Sequence, residues 1–410
     1  MLQPSSSSGT FPAPSGLFAA LCLLLFFHFQ LCSGYHETLT VPKQYRDNFE
    51  EKEVAYVPSP TDFEFTPDGK YLFVTSKFGK IWRLSVSEMD DKNIDAEDVR
   101  VDEVFEIPHR MCLNGARGLG GIAIHPDYPA KPYIYVFHNH DKYRDCSSSM
   151  NMDEGPVNRM SRWTLNSDLK SIDEDSELVM FETRRLNTQT HNSGYIAFGK
   201  DGNLYVTVGE AGTKKAKSTD GTPYPMAFDI TLGCVLRLTD DGKIPFDNPF
   251  SPENDENSVR CNKDGQSGNH KKRCQEVYAC GLRNPFRFAM DPNADGTRFF
   301  INDVGDASWE RVLEGGDGHA GSQYGYPARE GPCVKTTDKS NYDCEPKYWL
   351  DYPVHWYHHN SEDGGAITGG AFIPRDAGWP GSFDNAYIYA VSVEKWKRHP
   401  VFSILSSFFF

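Results

Sequence analysis

The sequence predicts an all-β fold of the propeller type, and three observations support this. Among 410 residues there are 35 Gly and 26 Pro, and 13% are aromatic, a composition that favours short strands joined by tight turns. No long amphipathic helix pattern is present. A unit of one polar turn and one apolar strand recurs five times, at intervals of roughly 60 to 90 residues, as expected for successive blades. A non-repeating β-sandwich with chance Asp-Gly turns is the alternative.

The five units follow one another along the chain, and each begins with a turn containing Asp or Asn. In order, they occupy residues 66–75, 125–137, 200–208, 291–302 and 383–390. A second apolar segment follows the first unit (Gly79–Leu84) and the third (Gly233–Leu238), which predicts a hairpin in each case. The polar insertions 213–224 and 248–275 are expected to form loops on one face.

The N-terminus predicts export. The apolar segment Leu17–Cys32 is followed by Ser33 and Gly34, small residues that suit signal-peptidase cleavage. It is shorter than a membrane span, which needs about 20 apolar residues. No Lys or Arg precedes Lys43, so an uncleaved anchor is the alternative. We predict a secreted chain with no membrane span after cleavage, divided into a signal peptide (1–34), a lead-in (35–56), a propeller domain (57–390) and an atypical tail (391–410).

Eight cysteines remain beyond the predicted cleavage site, an even number that indicates disulfides in an exported chain. Other connectivities stay open from the sequence. A Cys-rich metal site is disfavoured because no Cys-x-x-Cys pair is present. The pairs Cys261–Cys274 and Cys333–Cys344 would each close a short polar loop, and Cys112–Cys146 and Cys234–Cys280 would complete the set.

Several function classes are excluded by charge and motif. The net charge of −15 argues against nucleic-acid binding, which needs a basic face. There is no P-loop, dinucleotide-binding glycine motif or nucleophile elbow. His355, His358 and His359 lack the spacing of metal ligands, and we assign them to a surface loop at the rim of the site.

The most informative segment is 191–210. It places His191 in a loop, then a turn and an apolar strand, and then Glu210 directly after Gly209. A histidine and a carboxylate that bracket such a unit can come close in space, as a general base and its orienting partner must.

Four segments in chain order then resemble one family: 117–127, 191–210, 281–288 and 302–310, followed by 315–317 and 324–327. Together they are similar to the soluble glucose/sorbosone dehydrogenases that depend on pyrroloquinoline quinone (PQQ). The cysteine-bearing insertions and segment 240–250 are closest to the Hedgehog-interacting-protein-like branch. The resemblance spans about 57–390. It implies a six-bladed propeller with cofactor and substrate at one mouth, of which about five blades are recognisable here, so an incomplete propeller is expected.

The resemblance implies a catalytic group. His191 matches the base that takes the proton from the sugar C1 hydroxyl as hydride passes to PQQ, which suits imidazole because its pKa lies near neutrality. Glu210 stands where the family has an Asp that orients this histidine. Arg283 matches the cation that stabilises negative charge on the reduced quinone, and Asn284 matches a cofactor hydrogen-bonding residue.

The resemblance also implies a metal and shows departures. Gly305 and Asp306 lie where the family's backbone carbonyls bind the Ca²⁺ that holds the quinone. Thr190 is a cofactor-contact position where the dehydrogenases have Asp. Ala116 and Val304 replace cofactor-contacting Gln residues. The cationic clamp of the family's last blade is not assigned to any residue here.

Two hypotheses follow. The leading one is a quinoprotein oxidoreductase that oxidises an aldose at C1, with PQQ and Ca²⁺ as cofactors and an external electron acceptor. The alternative is a non-catalytic extracellular propeller that binds a protein or a glycan. Thr190, Ala116 and the unrecognised last blade favour the second, whereas His191, the acid at 210 and Arg283 with Asn284 favour the first.

Overall fold

The computed structural model describes residues 53–392 with short gaps, and residues 401–405. The gaps are residues 92, 148–154, 187, 219, 264, 270, 336–341, 346–349, 360–364, 376, 380–382 and 393–400. The predicted signal peptide, most of the lead-in and most of the predicted tail therefore lie outside the described residues.

In the described residues, the strands form four four-stranded antiparallel sheets and a fifth sheet of three strands. Blade 1 contains β1 (Pro60–Phe65), β2 (Tyr71–Ser76), β3 (Lys80–Ser85) and β4 (Val101–Glu106). Blade 2 contains β5 (Leu119–Ile124), β6 (Tyr133–His140), β7 (Val157–Leu165) and β8 (Ile172–Glu182). Blade 3 begins with β9 (Ile196–Phe198), β10 (Leu204–Val208) and β11 (Cys234–Leu238). An inserted parallel pair, β12 (Ser258–Val259) and β13 (Arg273–Cys274), precedes its outer strand β14 (Val277–Cys280).

Blade 4 contains β15 (Pro285–Met290), β16 (Arg298–Asp303), β17 (Trp309–Gly316) and the outer strand β21 (His355–His358). A small inserted sheet of β18 (Arg329–Glu330), β19 (Cys333–Lys335) and β20 (Tyr342–Asp343) lies between β17 and β21. The fifth sheet contains β22 (Ala366–Phe372), β23 (Tyr387–Ser392) and β24 (Val401–Leu405). The helical segments are short, namely α1 (Val86–Asp90) and a 3₁₀ turn (Tyr224–Met226).

The predicted all-β propeller is confirmed. Each of the five turn-and-strand units falls in a different sheet and supplies its second strand, and consecutive sheets pack face to face. The turns form as their sequences require: in the third unit the Gly202 amide bonds the Gly199 carbonyl, and Gly202 adopts a φ of +76° that favours glycine. Strand β24 pairs antiparallel with β23 inside the segment that we set apart as a tail. The domain boundaries stay a prediction.

Strand alternation explains the packing between blades. Successive side chains of a strand point to opposite faces, and each second strand is apolar on both faces. Tyr205 packs between blades 3 and 4, whereas its neighbour Val206 packs towards blade 2. Likewise, Phe299 packs towards blade 3 and Phe300 packs towards the fifth sheet. Each blade therefore needs a neighbour on both sides, which orders the blades around an axis.

All four predicted disulfides are confirmed. Each bond restricts the conformations of the unfolded chain, which stabilises the folded state by about 2–4 kcal/mol for a typical bridge. Cys234 and Cys280 are direct partners across β11 and β14, so this bond links the outer strand of blade 3 to the strand beside it. The bonded pairs are Cys112–Cys146, Cys234–Cys280, Cys261–Cys274 and Cys333–Cys344.

The assignment of His355 and His358 to a surface loop is wrong. Both belong to β21, which pairs with Trp309–Val312 of β17. The pairing joins segments more than forty residues apart in the printed sequence, and such non-local contacts leave no local sequence signal.

No helix among the described residues is long and apolar enough to cross a membrane.

Two histidines lie on β6, of which His138 is buried and His140 is half-buried. His138 is fully buried, and neither of its ring nitrogens has a hydrogen-bond partner in the described structure. Burial, reinforced by the nearby Arg159, holds the pKa of His138 well below its usual range. Burial also lowers the pKa of His140 to about 4. Protonation of a buried neutral imidazole lowers the stability of the folded state, because burial disfavours the charged form.

These histidines predict an acid-sensitive fold. In the unfolded chain both protonate near pH 6.5, so their folded-state contribution is full above that pH and is lost as the pH falls towards 4. The free energy of unfolding, measured by urea titration, should fall across this range by up to about 1.4 kcal/mol per pH unit for each group. His138→Phe should flatten the dependence, because it replaces the buried ionisable ring with an apolar ring. An unchanged slope in His138→Phe would contradict the prediction.

Candidate active site

The structure brings His191 and Glu210 together. His191 Nδ1 lies 2.6 Å from Glu210 Oε1; the histidine side chain is 25% exposed and the glutamate 1% exposed. A carboxylate can only accept hydrogen bonds, so Nδ1 carries the proton and donates it to Glu210. This tautomer leaves Nε2 of His191 as the basic nitrogen. The extra methylene of glutamate, relative to aspartate, does not prevent the contact.

The local backbone is shaped to make this contact. His191 has a φ of +55°, and its carbonyl accepts the Ala211 amide at 2.9 Å. A Cβ on Gly209 would lie 2.1 Å from the His191 carbonyl oxygen, so only glycine lets the two loops approach. The Glu210 amide donates to the Arg283 carbonyl at 2.8 Å. Loops from blades 3 and 4 are thereby joined at the pair.

His191 borders a cleft of about 210 Å³ at the N-terminal ends of the innermost strands. Asn284 also lines it, and its Oδ1 accepts a hydrogen bond from Ser193 Oγ at 2.7 Å. Lys77 also lines the cleft, and its ammonium group donates to the Gly115 carbonyl at 2.8 Å. The cleft thus places a base, an amide and a cation around one space.

Asp303 fixes the loop that carries Arg283 and Asn284. Oδ1 of Asp303 accepts the backbone amides of Arg283 at 3.1 Å and Asn284 at 2.8 Å. Its Oδ2 accepts Nε and Nη2 of Arg311 at 3.0 and 2.7 Å. Both side chains of this pair are almost fully buried. Asp303 is therefore a structural anchor of the site.

The Arg283 guanidinium does not line the cleft and contacts the loop that follows β16. Its Nη1 donates to the Val304 carbonyl at 3.1 Å. Its Nε is 3.7 Å from Asp306 Oδ1 and has no hydrogen-bond partner among the described residues. The second carboxylate oxygen of Glu210, Oε2, is likewise buried without a partner. Arg283 Nε and Glu210 Oε2 are thus an unused donor and an unused acceptor on the two loops that meet at the His191–Glu210 pair.

The predicted metal residues lie in the loop between β16 and β17. A Cβ on Gly305 would lie 1.6 Å from the Trp309 carbonyl oxygen, so this position requires glycine. The Asp306 carboxylate binds the Lys214 ammonium at 2.9 and 3.0 Å. Carbonyl and carboxylate oxygens are the donors that a hard cation prefers.

The other predicted cofactor positions differ in where they lie relative to the cleft. Thr190 is exposed, exchanges hydrogen bonds with Thr188 and does not line the cleft. Ala116 does line it. Val304 takes part through its carbonyl, which holds Arg283. The assigned roles of all these residues stay predictions.

Tyr326 was not assigned a role from the sequence. It is 2% exposed, and its hydroxyl has no hydrogen-bond partner in the described part of the chain. Burial raises the pKa of Tyr326 far above its usual value, and the carboxylates of Glu210 and Asp306 raise it further. Its backbone amide bonds the Gly281 carbonyl at 2.9 Å. Segment 324–327 is part of the family resemblance, but the sequence does not show that Tyr326 packs near this site, because Gly281 and Tyr326 lie over forty residues apart.

Comparisons with known proteins agree with the resemblance. A family model described as Glucose / Sorbosone dehydrogenase matches residues 57–386. Quinoprotein glucose dehydrogenase B of Acinetobacter calcoaceticus is 24% identical over 76% of this chain and 60% of its own. The HIPL2 protein of Arabidopsis thaliana is 25% identical over 79% of this chain and 49% of its own. The predicted family resemblance, including its Hedgehog-interacting-protein-like side, is confirmed.

A solved structure supports the fold. The PQQ-bound aldose sugar dehydrogenase of Streptomyces coelicolor superimposes with a TM-score of 0.55 at 22% identity, over 87% of this chain and 83% of that one. At this identity, the likeness establishes the fold alone. The chain spans between about half and two-thirds of the length of the sequence relatives above.

Removing the charge of Asp303 tests the anchor. Asp303→Asn leaves Arg311 buried without its partner, and we expect a loss of about 3–5 kcal/mol in the free energy of unfolding, measured by chemical denaturation. Glu103→Gln is the control, because it removes one of two partners of the partly exposed Lys80, and it should cost under about 1 kcal/mol. Equal losses in the two variants would show that Asp303 is not an anchor.

Proposed function

Because the chain belongs to the glucose/sorbosone dehydrogenase family, we propose that it is a quinoprotein oxidoreductase that oxidises an aldose sugar at C1, with hydride transfer to PQQ. The observation that carries the proposal is the 2.6 Å contact between His191 Nδ1 and Glu210 Oε1. It leaves one basic nitrogen at the edge of a cleft, which is the arrangement that a general base needs.

His191 acts as the base. Its Nε2 takes the proton of the C1 hydroxyl, and positive charge develops on the imidazole. Glu210 stabilises this imidazolium and keeps the ring oriented, because its carboxylate is buried and bonded to Nδ1. Ser193 and Asn284 hold the cleft wall beside the histidine. The chemistry that PQQ supplies when bound is acceptance of the hydride from C1.

The residues present fit an anionic quinone. Arg283 is 12% exposed and keeps an unused Nε donor, as a group that meets a quinone oxygen would. Asn284 and Lys77 offer an amide and a cation to the cleft. In this proposal Thr190, which is exposed beside His191 but does not line the cleft, would contact the cofactor from outside it. Gly305 and Asp306 would supply carbonyl oxygens to Ca²⁺.

The compartment and partners follow from the same proposal. Four disulfides suit an oxidising compartment, which supports secretion after removal of the predicted signal peptide. The substrate is a small sugar, and an external acceptor must reoxidise the cofactor.

The alternative, an extracellular propeller that binds a protein or a glycan without catalysis, has its own support. Ala116 lines the cleft at a position where the dehydrogenases use a cofactor-contacting Gln. The similarity to HIPL2 covers as much of the chain as the similarity to the dehydrogenase. The two hypotheses differ in whether the chain takes up PQQ.

Reconstitution decides between them. The exported chain is incubated with PQQ and Ca²⁺, desalted, and assayed for bound quinone by absorbance and for aldose oxidation with a dye acceptor. We expect stoichiometric uptake and turnover, and His191→Ala should lower kcat by about 10²–10⁴-fold, the usual value of a positioned base. Uptake of the quinone by His191→Ala should be unchanged.

His319→Gln, remote from the cleft, is the matched control and should keep full activity. Absence of quinone uptake by the unaltered chain would favour the binding protein. Unchanged turnover in His191→Ala would remove His191 from its assigned role.

A further inference from the structure

Three consecutive amides of the loop between β16 and β17 converge on one buried carboxylate. Glu330 Oε1 accepts the amide of Ala307 at 2.5 Å, of Ser308 at 2.6 Å and of Trp309 at 3.3 Å. Glu330 is 2% exposed and belongs to β18, in the sheet inserted after β17. Successive amides that surround an anion form a nest, an arrangement that fixes the backbone conformation.

This nest determines where a neighbouring carbonyl points. In a planar trans peptide, the carbonyl of one residue points opposite to the amide of the next. Because the Ala307 amide points at Glu330, the Asp306 carbonyl must point away from it. The same rule applies to the peptide two residues earlier in the loop, where the Gly305 amide bonds Glu310 Oε2 at 3.1 Å. There the Val304 carbonyl, on the opposite side of that peptide, meets Nη1 of Arg283.

The side chain of Asp306 is already engaged. Its carboxylate binds the Lys214 ammonium at 2.9 and 3.0 Å and lies 3.7 Å from Arg283 Nε. Two cations therefore balance its charge, and the backbone carbonyl is the oxygen better suited to a metal. A neutral carbonyl attracts Ca²⁺ less than a carboxylate does, so its affinity depends on precise direction.

We propose that Glu330 is a positioning residue of the cofactor site, which aims the Asp306 carbonyl at the Ca²⁺ that holds the quinone. It does not touch metal, cofactor or substrate, and acts through the amides of residues 307–309. The inference rests on the proposed function, because it requires a calcium-bound quinone at this loop. Gly305 contributes by allowing the loop to approach the Trp309 carbonyl.

The test measures quinone uptake against Ca²⁺ concentration without turnover. Protein stripped with a chelator is titrated with Ca²⁺ in excess PQQ, and the bound quinone is read by absorbance after desalting. In Glu330→Gln the charge is lost and the three charge-assisted hydrogen bonds weaken. We expect the half-saturating Ca²⁺ concentration to rise about 10–100-fold, the usual effect of losing an outer support of a metal ligand.

Two variants serve as comparisons. Glu330→Asp keeps the charge and should give a smaller rise. Glu314→Gln removes a partner of the half-exposed Arg298 and should leave the Ca²⁺ dependence unchanged. Circular dichroism and the thermal midpoint of each variant establish that all of them are folded at the titration temperature.

The outcomes separate the inference from the proposed function. No quinone uptake by the unaltered chain at any Ca²⁺ concentration would overturn both. Uptake with the same half-saturating Ca²⁺ in Glu330→Gln as in the unaltered chain would overturn the role of Glu330 alone. A lower thermal midpoint in Glu330→Gln with unchanged Ca²⁺ dependence would show a purely structural residue and would also overturn it.

Discussion

The buried pair of Asp303 and Arg311 is the interaction on which the site depends. The two residues face each other across β16 and β17, and a buried ion pair is tolerated only when its remaining donors and acceptors are bonded. Here, two loop segments bond them. Arg311 donates to the carbonyls of Gly281 and Tyr324, and Asp303 accepts the amides of residues 283 and 284. Satisfying one charge pair therefore fixes the loops that carry Arg283 and Tyr326.

The site is assembled from strand ends of two blades. His191 precedes β9 and Glu210 follows β10, so blade 3 supplies the base and its partner. Asn284 precedes β15 and Asp306 follows β16, so blade 4 supplies the groups on the other side. These ends meet because antiparallel strands begin and end at the same edge of a sheet. The packing of blade 3 on blade 4 then brings the two edges together.

Backbone strain is concentrated at the same place. His191, Ser193 and Ala211 all have positive φ values, and such non-glycine conformations cost about 1–3 kcal/mol each. They persist because hydrogen bonds hold them, as the Ala211 amide does with the His191 carbonyl. The loop is thus ordered before any ligand arrives, and the orienting carboxylate needs no rearrangement to support the base.

Much of the fold could be predicted because its signals are local. Each of the five units has a turn that contains Asp or Asn and an apolar strand, and both can be recognised within about ten residues of sequence. The short disulfide loops were equally local. The strand His355–His358 was missed because its assignment depends on pairing with β17. The residues near it in the sequence do not indicate this pairing. The resemblance added His191, Glu210, Arg283 and Asn284 as site residues, but not the distances between them.

The sequence by itself therefore determined the turn and the second strand of each blade, and the chemical types available to a site. Periodicity and turn residues act over a few positions, so they need no knowledge of the rest of the chain. Only the tertiary structure decided that His191 bonds Glu210, that the Tyr326 amide bonds the Gly281 carbonyl and that Glu330 accepts the amides of residues 307–309. These contacts join loops from different strands, and their positions are set by the packing of whole blades rather than by neighbouring residues.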